Sequence, residues 1–330
     1  MALTNDQYDK IINSYAVRKK KSADLFDSRL NEVQTKIPEY KALSDKVISL
    51  SMDYAKAELF KEPFSGNLKR EIDVIIQKKT ELLTQNGFPA DYLTNIYVCP
   101  FCHDTGFVDN KKCRCFKQKE INLIYSESNI NTTLKNVTLD DFSLRFYDEN
   151  LIDPVFNVDS LKLARASLST AQKFVRDFDT HPGNIIMFGN AGLGKTYLSH
   201  CIANEIIKKG HTVLYLTATE LFSALGTFFK KGTGNAEFDT KSYIFDSELL
   251  IIDDLGSELV SEFSVSNLFT CINERLNLNR STIISTNMDY GKLKNTYGER
   301  TTSRIQGYYQ NLRFYGNDIR QVLRREKNAK

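Results

Sequence analysis

No stretch of this chain reaches the roughly 18 consecutive apolar residues that a membrane-spanning helix needs. The opening MALTNDQYDKII lacks the apolar core of a secretory signal, so a cytoplasmic protein is expected. Net charge is nearly absent. Lys plus Arg is 44 against 41 for Asp plus Glu, and the resulting +3 does not by itself imply nucleic acid. Low-complexity tracts and internal repeats are missing. Apolar types at 41% and charged types at 26% exclude a disordered chain, a collagen-like chain and a disulfide miniprotein. At about 100–200 residues per domain, 330 residues suggest two domains.

Glycine and proline are scarce at the start. No Gly precedes Gly66, and only Pro38 and Pro63 precede Pro89. Over residues 1–95 apolar residues recur at helical steps: Ile11, Ile12 and Tyr15, then Leu25, Phe26, Leu30 and Val33. A second series runs Val47, Ile48, Leu50, Met52, Tyr54, Leu59 and Phe60. A third runs Ile72, Ile75, Ile76, Leu82 and Leu83. Interleaved acids and bases suit the solvated faces of long helices. Three helices on one shared seam are expected, with no chemistry of their own, hence an interaction module.

Cysteine is concentrated. Cys99, Cys102, Cys113 and Cys115 fall in CPFCHDTGFVDNKKCRC, while Cys201 and Cys271 stand alone in helical patterns and read as core residues. Without an export signal the cluster reads as metal-binding. Four thiolates from two turns satisfy tetrahedral Zn²⁺ and leave no position for substrate, so the knuckle over 96–120 is expected to be structural. The second pair is C-x-C instead of the commoner C-x₂-C. His103 is an awkwardly placed alternative ligand, and redox or inert thiols are the alternative readings. Lys111, Lys112, Arg114, Lys117 and Lys119 surround the knuckle, facing either DNA or water.

Residues 121–182 read as a connector: a helix over 117–128, a polar stretch Asn129–Asn136, and a helix from about Ser160 to Asp177. Over 183–330 short apolar runs alternate with helical stretches: Asn184–Phe188, Thr212–Leu216, Leu249–Ile252 and Ser281–Ser285. This is the pattern of an α/β fold with a parallel sheet covered on both faces.

The first run leads into GNAGLGKT, that is Gly189, Asn190, Ala191, Gly192, Leu193, Gly194, Lys195 and Thr196, followed by Tyr197 and a helical pattern. Strand, G-x-x-x-x-G-K-T loop and helix form a phosphate cradle. Backbone N–H groups and the helix N-terminus face the anion. Lys195 is expected on the β- and γ-phosphates of ATP, and Thr196 on Mg²⁺. LLIIDDLG places Asp253 and Asp254 at a buried strand end. Asp253 suits the Mg²⁺ shell, and Asp254 is placed to polarise an attacking water. STIISTN ends in Thr286 and Asn287, where Asn287 could orient that water or simply end the strand.

GNAGLGKT, LLIIDDLG and STIISTN, in that order, resemble the AAA+ ATPases, most closely the DnaC/DnaI-type helicase loaders and their relative IstB. GERTTSRIQGYYQNLRFYGNDIR resembles the loaders' C-terminal stretch. The resemblance covers roughly 95–325. It implies a first-sensor role for Asn287 and a trans arginine at Arg304, with Arg300 the competitor. It implies a second-sensor role for Arg320, left in doubt because the family lacks the large helical lid. It further implies an Mg²⁺-dependent ATPase in DNA replication, a replicative hexameric DNA helicase as partner, single-stranded DNA, and self-assembly through AAA+ interfaces. The alternatives are an IstB-like transposition helper on duplex DNA and a nucleotide-binding adaptor without turnover.

Nucleic-acid signals in the residues themselves are weaker. Basic residues gather over Arg300–Lys330, as a solvated tail or as phosphate contacts. Tyr215, Phe228 and Phe229 before Lys230 and Lys231, and Tyr308 and Tyr309 before Arg313 are either stacking platforms or core.

Overall fold

The computed structural model describes residues 5–60, 68–94, 96–124, 136–230 and 243–328. Most of the Asn129–Asn136 stretch, the end of the 117–128 helix, Lys231 and the side chains of Phe228, Phe229 and Lys230 lie outside the described residues. The chain divides into two compact units, one of residues 12–111 and one of residues 1–11 with 112–330. No described helix is long and apolar enough to cross a membrane.

The first unit holds most of α1 (Asn5–Lys36), with α2 (Pro38–Phe60) and α3 (Leu68–Gln85). Their seam is short. Val33, Ile37, Tyr40 and Leu83 are buried together, and Leu30, Leu82, Phe88, Tyr92 and Leu93 pack against them. Arg29 donates to the Tyr92 carbonyl at 2.8 Å, tying the segment after α3 back to α1. Beyond this seam α2 exposes Ile48, Met52, Leu59 and Phe60.

The hairpin β1 (Phe107–Val108) and β2 (Lys111–Lys112) turns through Asp109 and Asn110, both at positive φ, as a two-residue hairpin turn requires. Next come α4 (Arg114–Ile124), the short pair β3 (Ile152–Asp153) and β4 (Val158–Asp159), and α5 (Ser160–Asp177). Asp159 caps α5 by accepting from the Lys162 N–H at 2.7 Å.

The large sheet is built from β5 (Ile185–Phe188), β6 (Val213–Thr217), β7 (Leu249–Leu255), β8 (Ser281–Thr286) and β9 (Gln310–Arg313), in the order β6-β7-β8-β5-β9. All neighbours are parallel. Alternate residues of each strand enter opposite cores. Ile185, Met187, Ile251 and Ile283 meet α5 and α6 (Lys195–Lys208). Ile186, Leu214, Ile252 and Ile284 meet α7 (Ala218–Lys230), α8 (Glu262–Asn277) and α9 (Tyr290–Tyr308). Cys201 and Cys271 lie in these cores, and burial pushes their thiols up to about 12 and about 11. A last helix, α10 (Ile319–Asn328), follows β9.

Arg275 of α8 is fully buried, and its guanidinium is met by oxygens instead of a carboxylate. It donates to the carbonyls of Ile244 and Ser281 at 2.6 Å and of Ser247 at 3.0 Å, and to Thr282 Oγ1 at 3.0 Å. One side chain thus joins the entry of β7 to that of β8. Burial lowers its pKa to about 10.

Candidate nucleotide site and metal knuckle

Strand order brings the site together. β8 lies between β5, which leads into the phosphate loop, and β7, which carries the acids. The loop folds as expected from its glycines. Gly192 and Gly194 have φ of 79° and 89°. A Cβ at Gly192 would collide with the Asp318 carboxylate, and one at Gly194 would lie 2.8 Å from the Tyr147 hydroxyl. Only glycine therefore satisfies both the backbone turn and its surroundings.

Those surroundings are residues that the motif did not reveal. Tyr147 is buried and donates its hydroxyl to the Leu193 carbonyl at 2.7 Å, and the Ile319 N–H donates to the Gly192 carbonyl at 2.9 Å. Two segments distant in sequence thus hold the outward-facing carbonyls of the loop, while α10 starts against it. Arg320 is exposed in the first turn of α10, and its charge is felt at Lys195. The signal for Asp318 was available in GNDIR: an Asp ahead of a helix is a cap, and its carboxylate accepts from the Arg320 N–H at 2.9 Å.

Lys195 is buried at the start of α6, where its ammonium donates to the carbonyls of Gly189 and Asn190, both at 2.7 Å. Burial lowers its pKa, opposed by the nearby charges of Asp254 and Asp253. Asn190 and Ala191 are exposed at the loop tip, Leu193 is buried, and Tyr197 is half-buried. Thr196 Oγ1 donates to Asp253 at 3.0 and 3.3 Å, and Ser285 Oγ donates to the same carboxylate at 2.5 Å. Asp254 is exposed at φ 57°, where the β7–β8 register shifts, and its N–H donates to Ser285 Oγ at 2.9 Å. Asn287 is exposed just past β8. The site therefore gathers a loop of backbone donors, one ammonium, a hydroxyl–carboxylate pair fit for a hard divalent cation, and a second, open carboxylate.

Arg304 lies elsewhere. It lines a cleft of about 660 Å³ with Asn184, Asn273, Arg280, Ser281 and Tyr308, where β5 and β8 begin. That is the end of the sheet opposite the phosphate loop. Its Nε donates to Asn273 at 2.9 Å, and its guanidinium sits 4.6 Å from the Phe269 ring centre. Arg300 is exposed one turn earlier. Of the aromatic candidates whose side chains are described, Tyr215 and Tyr309 are buried in the sheet cores and Tyr308 is exposed. Stacking on a nucleic acid is thereby excluded for Tyr215 and Tyr309 in this fold.

The sulfurs of Cys99, Cys102, Cys113 and Cys115 all lie within 4.8 Å of one another. Tetrahedral Zn–S bonds of about 2.3 Å put sulfurs roughly 3.8 Å apart, so the donor set fits such an ion with a small contraction. The Gly106 N–H donates to Cys102 Sγ at 3.3 Å, which suits a thiolate. His103 is exposed, its ring tilted against Tyr97 with centres 4.7 Å apart, and it is not part of the sulfur cluster. Asp104 is fully buried and accepts from the N–H groups of Val98 and Cys99 at 3.0 Å and from Ser22 Oγ at 3.1 Å. It shapes the first turn, and the cysteine spacing alone gives no hint of it.

A parallel sheet with one strand interposed between the phosphate-loop strand and the acid strand defines an AAA+-like P-loop nucleotide-binding unit. Residues 162–305 match the family described as IstB-like ATP binding protein. The Replicative helicase loader DnaC of Escherichia coli K12 is 28% identical over 140 residues, covering 42% of this chain and 57% of that protein. Its namesake from Buchnera aphidicola subsp. Schizaphis graminum is 30% identical over 163 residues, covering 48% and 65%. This chain thus spans less than two thirds of the length of these relatives. A crystal structure of the DnaC helicase loader aligns at TM-score 0.46 and 24% identity over 56% of this chain and 100% of that one. One of DnaI aligns at 0.45 and 23% over 57% and 96%. The P-loop unit of this chain is thus similar in sequence to the DnaC-type helicase loaders and matches the IstB-like ATP binding family over residues 162–305.

Proposed function

We propose that this chain is an ATP-driven loader that grips a replicative hexameric DNA helicase and helps place it on single-stranded DNA. The observation that carries the reading is the Thr196–Asp253 pair beside a phosphate loop, in a unit similar to replicative helicase loaders. Thr196 and Asp253 hold Mg²⁺, which supplies positive charge at the phosphate oxygens. Lys195 leaves its loop carbonyls for the β- and γ-phosphates. Asp254 accepts a proton from, or orients, the attacking water, and Asn287 orients it from the neighbouring strand end. Arg320 faces the nucleotide from α10. Arg304, at the far end of the sheet, reaches only the ATP of a neighbouring copy, and its seat on Phe269 and Asn273 favours it over the freely exposed Arg300. Hydrolysis is thereby tied to assembly. Cys99, Cys102, Cys113 and Cys115 hold Zn²⁺ as a structural ion.

Asp254→Asn keeps the shape and removes the base. It is expected to leave ATP affinity within about two-fold and to lower kcat by about 100-fold or more, within the range general bases contribute. Single-turnover hydrolysis beside equilibrium nucleotide binding separates the two effects.

The helical unit supplies the grip. Ile48, Met52 and Leu59 stand on one stripe of α2, 55%, 60% and 78% exposed, which suits a protein partner. Ile48→Glu with Met52→Glu is expected to weaken helicase binding by ten-fold or more without lowering ATPase turnover, as titration calorimetry would read.

The deciding experiment is size-exclusion chromatography with light scattering of this chain with the host's replicative helicase, ATP and Mg²⁺. A stable complex supports the loader reading. No complex, with long assemblies on duplex DNA instead, would move the function to the transposition helper that the IstB-like match also allows.

A further inference from the structure

Two buried polar groups behind the phosphate loop take no part in the site as described. His200 lies on α6 one turn beyond Thr196 and is 3% exposed, and Tyr215 lies on β6 and is 4% exposed. Their rings stack 4.4 Å apart and within 9° of parallel. Among the described residues, His200 Nδ1 and the Tyr215 hydroxyl have no hydrogen-bond partner. A buried hydroxyl left in this way bears the full cost of its desolvation, and native folds rarely keep one without use.

Of the charges that act on the two groups, the Asp253 carboxylate acts most strongly. Thr217 pairs with Asp253 across β6 and β7, so Tyr215 and Asp253 turn toward the same side of the sheet. Burial, then the Asp253 charge and the hydroxyl's approach to that carboxylate, hold the Tyr215 hydroxyl well above its ordinary pKa, although the two do not form a hydrogen bond of good geometry. The same charge partly offsets the lowering of His200 by burial. Asp253 accepts from Thr196 and Ser285 here, yet a carboxylate has about four lone-pair sites. Carboxylates that hold metals are themselves usually held by hydrogen bonds from behind.

We propose that Tyr215 is a positioning residue for Asp253, closing a hydrogen bond onto the carboxylate when Asp253 turns to hold Mg²⁺, with the stacked His200 fixing the plane of the ring. In the resting state the hydroxyl waits beside its acceptor. With a cation held by Thr196 and Asp253, the hydroxyl would brace the carboxylate through a lone pair that the cation leaves free. The inference rests on the reading of Thr196 and Asp253 as the Mg²⁺ pair.

Tyr215→Phe deletes one oxygen and keeps the stack. Removing an unpartnered hydroxyl is expected to raise the Tm of the nucleotide-free chain by about 2–4 °C. Affinity for a fluorescent ATP analogue in EDTA should stay within about two-fold of wild type. The Mg²⁺ concentration that half-restores tight binding should rise about ten-fold. Ser285→Ala removes a donor already engaged with Asp253 and should instead lower the resting Tm. An unchanged Mg²⁺ midpoint in Tyr215→Phe overturns the proposal. So does a lowered resting Tm, because the hydroxyl would then be partnered at rest. If wild type shows no Mg²⁺-dependent nucleotide binding at all, the phosphate-loop reading itself fails, an outcome distinct from the first two.

Discussion

Lys195→Ala is expected to weaken ATP binding by about 100- to 1,000-fold. In the proposed complex the ammonium makes charge-assisted bonds to two phosphate groups, each contributing roughly 1.5–3 kcal/mol. Losing about 3–4 kcal/mol corresponds to that range at 1.4 kcal/mol per factor of ten. The resting structure sharpens the expectation. Among the described residues Lys195 Nζ bonds to the carbonyls of Gly189 and Asn190, so binding exchanges two neutral acceptors for anionic ones. Burial lowers the lysine pKa while Asp254 and Asp253 oppose the shift. An incoming polyphosphate adds negative charge beside the ammonium and therefore favours its charged form. The loop itself should survive the substitution, because Tyr147 and the Ile319 N–H hold it from outside. Calorimetric titration with ATP and Mg²⁺ tests this. Affinity within three-fold of wild type, in a variant with an unchanged melting curve, would mean that the loop does not carry the nucleotide.

The contrast between Lys195 and its supports shows what a sequence does and does not reveal. Four strands were legible because buried parallel strands are continuous apolar runs, and β5, β6, β7 and β8 each fall on such a run. The fifth, QNLR of β9, buries only Leu312 fully and has no run to find. It is placed by pairing with β5, whose Phe188 carbonyl accepts the Phe314 N–H. Local motifs also marked Lys195, Thr196, Asp253 and the four cysteines as candidates, because phosphate and thiophilic metals need fixed spacing along the chain. Tyr147, Ser285, Asp104 and Arg275 act through contacts between distant segments, and no local pattern marks them, while GNDIR marks Asp318 as a cap but not its place against Gly192. Tyr215 and Tyr309 show the converse. A tyrosine near basic residues looks the same on a surface as in a core, and only burial decides between them.

Removal of Zn²⁺, or Cys113→Ser, is expected to unfold the knuckle outright. The segment around the four cysteines has little apolar core of its own. β1 and β2 are two residues each, and Val98 and Phe101 are exposed at 67% and 54%. Hydrogen bonds from Val98 and Cys99 to Asp104 fix the first turn, but each contributes only about 1 kcal/mol net. A four-thiolate Zn²⁺ site in a small domain contributes on the order of 10 kcal/mol at neutral pH. Such an ion would therefore outweigh the hydrogen bonds that hold the first turn. Three of the four cysteines are buried, where an ion held by their sulfurs would be shielded from water. Wild type should carry one Zn²⁺ per chain by elemental analysis, and Cys113→Ser less than about a tenth of that. Limited proteolysis should cut the variant, or chelator-treated wild type, within residues 98–115, while the sheet of β5 to β9 stays protected. A fully reduced, metal-free chain that resists cleavage there would show that Asp104 and the turn suffice, and the cysteines would then have to be read as redox groups.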